Sequence, residues 1–151
     1  EGTLRATRLL ANHVCIVASP SLLSRAQAPA TVADLRAMPT VGYRSSEVRI
    51  ATWPYLVGGD VRTVEVAPVC WASDGNALLD LVLRGVGVGY LSRFAAAEHV
   101  RRGDLVVLFP EVALPAFDPV YVVHAPEAQP SPKVAAFRRA LVDVARELEV
   151  G

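Results

Sequence analysis

Cysteine, net charge and long apolar runs are all scarce in this chain. Only Cys15 and Cys70 occur among its 151 residues. Both sit in apolar, strand-like settings and read as buried free thiols of a reducing compartment, with a disulfide or redox pair as the alternative. Fifteen Lys and Arg balance fifteen Asp and Glu, so the formal net charge is zero. That argues against nucleic-acid binding by this segment, because phosphate contacts need an excess of Lys and Arg on one face. No apolar run approaches the roughly 20 residues of a membrane helix, and the first residues carry no signal-peptide pattern. The three histidines, His13, His99 and His124, share no metal spacing with the cysteines or acids, so neither a metal nor a cofactor is expected. There is no G-x-S-x-G elbow. Asp74, Asp80 and Glu98 read as helix surface rather than as a catalytic carboxylate pair. A Cys70–His99 nucleophile pair is the one enzymatic arrangement left open, with a buried structural Cys70 the better reading. No catalytic residue is assigned.

What is present is apolar. Hydrophobic residues make up 52% of the chain and charged residues 20%, enough for a substantial core and too little charge for disorder. The length suits one domain or two small lobes. Opening at Glu1-Gly2 without a Met, the sequence reads as a piece of a longer protein.

The best-marked stretch is Ser73–Ser92, SDGNALLDLVLRGVGVGYLS. Ser73 or Asp74 can cap a helix. Ala77 to Leu83 is almost wholly aliphatic, while Asn76, Asp80 and Arg84 recur every fourth position as one narrow polar stripe. Such a helix is covered on more than one side. Gly85 suits the left-handed residue that closes it. VGVGYL then reads as a strand buried on both faces. The order is helix, glycines, strand. A dinucleotide site needs strand, glycines, helix, so these glycines are expected to serve a cap and close strand packing instead.

Around this stretch, Glu1–Ala11 reads as a basic lead-in ending on the surface, and His13–Ala18 as a strand. Ser19-Pro20 starts a helical turn. Thr31 to Asp34 carries a capping pattern ahead of a short helix through Met38. Thr40–Tyr43 is a strand, and Arg44–Gly59 a long connection with a Gly58-Gly59 turn, pinned by Trp53-Pro54-Tyr55. Val61–Val69 alternates as a strand. Ser92–Arg102 is a helix ended by Gly103. Strands are expected at Leu105–Phe109 and Val120–His124, with Pro-rich joints at 110–119 and 126–132. A final helix runs from Ser131 to about Glu149, with Val134, Phe137, Leu141, Val144 and Leu148 as its apolar seam. Alternating strands and helices predict an α/β sheet with mostly parallel pairing.

LRATRLLANHVCIVASPSLL, TVADLRAMPTVGY, SDGNALLDLVLRGVGVGYLSRFAAAEHVRRGDLVVLFP and PVYVVHAPEAQPSPKVAAFRRALVD, in that order and spacing, resemble the effector (substrate)-binding domain of LysR-type transcriptional regulators, truncated at its N-terminus. Ser73 stands where the family often has Asn, and Ser92 where it often has Pro. The resemblance implies a periplasmic-binding-protein-like fold of type 2: two α/β lobes joined by crossover strands, with a small-molecule cleft between them and the first lobe incomplete. Residues 1–38 and 120–151 would form lobe I, and 39–119 lobe II. It implies a cytoplasmic bacterial regulator that senses a small anionic metabolite and pairs as a homodimer or higher oligomer. DNA would be bound only through a helix-turn-helix domain absent from this chain. The aliphatic helix, through Ala77, Leu78, Leu81 and Val82, is the implied dimer surface. The alternatives are an extracytoplasmic solute-binding protein of similar fold and a small α/β enzyme.

In open α/β sheets ligands bind beyond strand C-termini and near helix N-termini, where backbone N–H groups and the helix dipole attract anions. Three such ends are candidates: Ser19; Gly42, Tyr43, Arg44 and Ser45; and Ser73, Asp74 and Asn76. Arg44 leads, because a guanidinium holds a carboxylate in bidentate fashion. Each has a plainer reading too: Arg44 as a solvated loop charge, Ser19, Ser73 and Asp74 as helix caps, and Tyr43 as core.

Overall fold

The computed structural model describes residues 4–124 and 131–150, with side chains to residue 148. The chain divides into two compact units, Glu1–Asn12 with Ala116–Gly151, and His13–Pro115. Among the described residues no helix is long and apolar enough to cross a membrane.

In the smaller unit, β1 (Arg5–Asn12) pairs antiparallel with the last strand (Phe117–His124), from Arg5 opposite His124 to Asn12 opposite Phe117. The lead-in expected on the surface is therefore a strand. The last strand begins three residues earlier than Val120, inside the expected loop. The closing helix, Pro132–Val150, packs against β1. On this helix Ala145 is buried and Val134, Ala135, Leu141 and Val142 are half-buried. The expected seam is thus rotated: Phe137 is 65% exposed, and Val144 and Leu148 face away as well. The joint at 126–132 lies mostly outside the described residues.

The larger unit is built on β2 (Val14–Ala18), β3 (Thr40–Arg44), β4 (Arg49–Ile50), β5 (Thr52–Val57), β6 (Asp60–Glu65), β7 (Pro68–Ala72), β8 (Gly89–Ser92) and β9 (Val106–Leu108). The strand of the smaller unit that follows them is β10. β2 is buried along its whole length because it lies between β8 and β9, antiparallel to both. β3 runs parallel to β7 on one side. On its other side it meets β4 antiparallel at Tyr43–Arg44 and, at Thr40, forms a parallel bridge to Val88. The N–H of Val41 donates to the Val88 carbonyl at 2.9 Å. Among the described residues only β3–β7 and this bridge are parallel, so the expected mostly parallel pairing is corrected.

Hydrogen bonds on both sides of β2 hold residues 14–18 within the larger unit.

Helices cover one face of the sheet. α1 (Pro20–Leu23) is the expected turn, with Ser19 as cap. α2 (Gly75–Leu83) and α3 (Arg93–Arg102) contribute Leu78, Val82 and Ala96 to a core shared with Cys15, Val17, Val41, Ala72, Leu91 and Leu105. Burying Leu78 and Val82 stabilises the fold by about 1.5–3 kcal/mol each. Ala77, Leu79, Leu81 and Leu83 are half-buried flanks, and Asn76, Asp80 and Arg84 form the exposed stripe, as expected. Arg84 Nε donates to Asp80 Oδ2 at 2.8 Å. The helix ends on Gly85, in the left-handed region at φ +73°. Gly87 lies so close to the neighbouring strand that a β-carbon there would come within 2.9 Å of the Thr40 backbone.

On the other face lies a hairpin whose first strand falls within the long connection expected at 44–59. β5 and β6 pair from Thr52–Glu65 to Val57–Asp60 around Gly58-Gly59, both at positive φ. The strand expected at 61–69 therefore splits into β6 and β7. Trp53, only 1% exposed, packs its ring 5.5 Å from that of Tyr90. The Tyr90 hydroxyl donates to the Pro54 carbonyl at 3.3 Å. This pins the hairpin to the sheet, as the Trp-Pro-Tyr pattern suggested.

Candidate functional site

Strand direction decides which candidate residues meet. β3 and β7 are parallel neighbours with Tyr43 opposite Ala72, so Arg44 and Ser73 leave the sheet side by side at one edge. Ser73, Asp74 and Asn76 follow at the start of α2, all exposed. Asp74 is the cap: its Oδ1 accepts from the N–H of Ala77 at 2.9 Å. Arg44 is exposed and has no carboxylate partner among the described residues. Ser45 shapes the turn into β4, its Oγ accepting from the N–H of Glu47 at 3.4 Å and of Val48 at 3.1 Å.

Ser19 lies at the opposite edge. β2 runs antiparallel to β8, with Val14 opposite Ser92 and Val17 opposite Gly89, and β8 runs parallel to β3. The C-terminal end of β2 is therefore level with the beginning of β3. Ser19 Oγ sits beside the C-terminal end of α2, 3.2 Å from where a β-carbon on Gly85 would be. It is 2% exposed and accepts from the N–H of Leu22 at 3.3 Å. It acts as a helix cap, remote from Arg44.

Gly42 and Tyr43 also turn inward. Gly42 is buried beneath the Trp71 indole. Tyr43 packs half-buried against the helix-side core. Of the residues expected at a dimer surface, Leu78 and Val82 fill this unit's own core, so they are not surface residues. Ala77 and Leu81 keep partial exposure.

The same strand order brings in residues that the sequence reading treated only as a helix start. β8 ends beside the Arg44 edge, so Ser92 and Arg93 open α3 there. Ser92 occupies the cap position, but its side chain makes no capping hydrogen bond. The N–H of Arg93 donates to the His13 carbonyl at 2.7 Å, which fixes the helix start to the beginning of β2. Arg93 is exposed and its charge acts on the Cys15 thiol. Burial nonetheless dominates that thiol and pushes its pKa up to about 11, with Arg93 opposing. Cys15 is therefore a protonated core group, not a nucleophile. A parallel β3–β8 arrangement was the signal that would have found Ser92 and Arg93, and it is invisible in local periodicity.

Arg44 thus lies beside the N-terminus of α2, while β8 leads into the N-terminus of α3 at the same end of the sheet. Guanidinium donors and helix N-termini both favour anions. Asp74 is the acid among them, and it is engaged as a cap.

Comparison with known proteins places this geometry in a family. The model for the LysR substrate binding domain matches residues 1–146. The HTH-type transcriptional regulator CrgA of Neisseria meningitidis serogroup C (strain 8013) is 25% identical over 143 residues, covering 95% of this chain and 47% of that protein. The HTH-type transcriptional regulator DmlR of Escherichia coli (strain K12) is 25% identical over 131 residues, covering 87% and 42%. The chain thus spans about half the length of the curated relatives it matches. The solved regulatory domain of CrgA from Neisseria meningitidis superposes with a TM-score of 0.81 at 24% identity, over 94% of this chain and 69% of that one. The full-length Vibrio cholerae virulence activator AphB gives 0.74 at 17% identity, over 96% and 49%. The structural likenesses show the expected type 2 periplasmic-binding-like α/β class, and the matched family is one of substrate binding domains. With a family model covering nearly its whole length, the chain belongs to the LysR substrate binding domain family.

Proposed function

We propose that the chain is the effector-sensing part of a cytoplasmic bacterial LysR-type transcriptional regulator. It binds a small anionic metabolite at the edge of its larger unit. Arg44 holds the anionic group, with Ser45, Ser73, Asn76, Ser92 and Arg93 around it, while Asp74 keeps α2 in place. The observation that carries this reading is the family match over residues 1–146. Arg44 beside the start of α2, with α3 starting at the same end of the sheet, supports it. DNA contact and homo-oligomerisation belong to the longer regulator. The half-exposed Ala77 and Leu81 of α2 are the residues proposed for contact with a second copy. Effector binding biases the regulator only by its differential affinity for two arrangements.

The test is a thermal-shift screen of small carboxylates and their neutral amides. The expected result is a rise in Tm with one or more carboxylates and none with the matching amides. Equal shifts from acid and amide contradict the anionic reading.

A further inference from the structure

Arg44 and Arg49 stand directly opposite each other on the antiparallel pair β3–β4. Opposed residues of such a pair project from the same face, and like charges there repel and destabilise the pair. Neither guanidinium has a carboxylate partner among the described residues to offset this. Glu47, in the turn between the two strands, makes an ion pair with neither.

Arg49 is held in place. Its guanidinium carbon lies 4.4 Å from the centroid of the Trp71 ring. Trp71 is on β7, across β3 from Arg49. It reaches over only because Gly42 leaves that part of β3 bare: a β-carbon on Gly42 would come within 2.6 Å of two ring carbons. A guanidinium resting on an aromatic face keeps the N–H groups at its rim available for a planar oxyanion. Gly42, Trp71, Arg49 and Arg44 therefore occupy one face at the end of β3.

We infer that Arg44 and Arg49 form a two-pronged oxyanion site, with Arg49 fixed by Trp71. A bound anion removes the repulsion between the two cations. The site takes an oxyanion group, carboxylate or phosphate. Its existence does not rest on the effector reading; only the metabolite that carries the anion does.

The test uses the full chain titrated separately with succinate and with inorganic phosphate at constant ionic strength. The side-chain Nε–H signals of Arg44 and Arg49 and the Trp71 indole signal are followed by NMR. The expected result is saturation of all three signals along one isotherm. Arg49→Gln should weaken binding, read at Arg44, by about tenfold or more. Trp71→Phe should keep affinity within a few-fold, and Trp71→Leu should weaken it, with circular dichroism confirming that each variant folds. Saturation by succinate but not phosphate assigns the site to carboxylates, and the reverse to phosphates. An unchanged isotherm at Arg44 in the Arg49→Gln variant overturns the pair, as does the absence of saturable shifts with both anions. A screened metabolite that binds equally well to the Arg44→Ala/Arg49→Gln variant removes the pair and leaves the sensor reading standing. Saturable anion binding at the pair, with no metabolite bound, keeps the pair and counts against that reading.

Discussion

The indole of Trp71 occupies the space above Gly42, where a β-carbon would fall 2.6 Å from Cε3 and Cζ3 of the ring and 2.8 Å from Cγ of Pro68. Gly42→Ala therefore forces the ring aside or bends β3 away from β7. The expected cost is about 1–3 kcal/mol, typical of overpacking. It is measured as a lower urea midpoint at unchanged m-value. The Trp71 fluorescence should change as well, because the ring loses its place beneath Arg49.

Asp74 accepts the hydrogen bond that starts α2. Asp74→Ala should cost about 1 kcal/mol by chemical denaturation, and Asp74→Asn much less, since Asn caps nearly as well. Ser73→Ala should stay within about 0.5 kcal/mol, because Ser73 is exposed and Asp74 does the capping.

Gly85 and Gly103 both close helices at positive φ, +73° and +81°. Around Gly103 a β-carbon would meet nothing within 4 Å, so Gly103→Ala should cost only the left-handed penalty, about 1–2 kcal/mol. At Gly85 the new carbon would lie 2.6 Å from Ser21 Oγ and 2.9 Å from Arg25 Nη2. That same Arg25 nitrogen donates to the Gly85 carbonyl at 2.9 Å. Gly85→Ala should therefore be the more damaging of the two in the same denaturation series.

Burial holds the Cys15 thiol protonated up to about pH 11, against an ordinary value of 9.0. Between those values the folded chain keeps a proton that the unfolded chain has lost. The resulting stability is complete below pH 9 and disappears as pH rises towards 11, by about 3 kcal/mol. Cys15→Ala should flatten the fall in stability over that window, as measured by urea midpoints from pH 8 to 11. An unchanged pH slope would show that Cys15 is not its source.

Legibility in the sequence followed the range of the interactions. The cap at Asp74, the left-handed Gly85 and Gly103, and the buried strand after α2 rest on contacts within a few residues, and all were readable. β1 carries no local strand signal, because its partner, β10, lies more than a hundred residues away and its own composition is mixed and basic. β5 carries no strand pattern of its own although Gly58-Gly59 mark the turn, because only pairing with β6 satisfies its backbone. The seam of the last helix was misplaced by one face: Ala135, Val142 and Ala145 pack, while the larger Phe137 does not. The candidate site shows the same limit. Arg44 and Ser73 follow parallel strands and meet, whereas Ser19 follows a strand of the opposite direction and does not. Nothing local in VCIVASP states which way that strand runs.

The central claim is that Arg44 holds the anionic group of a small effector. It is tested most directly by isothermal calorimetry, comparing the unmodified chain and Arg44→Ala with a carboxylate that raises Tm in the screen. The account predicts a loss of about 1.5–3 kcal/mol in binding free energy, with the circular dichroism spectrum unchanged and the urea midpoint no lower. Equal affinity in the two proteins would contradict it.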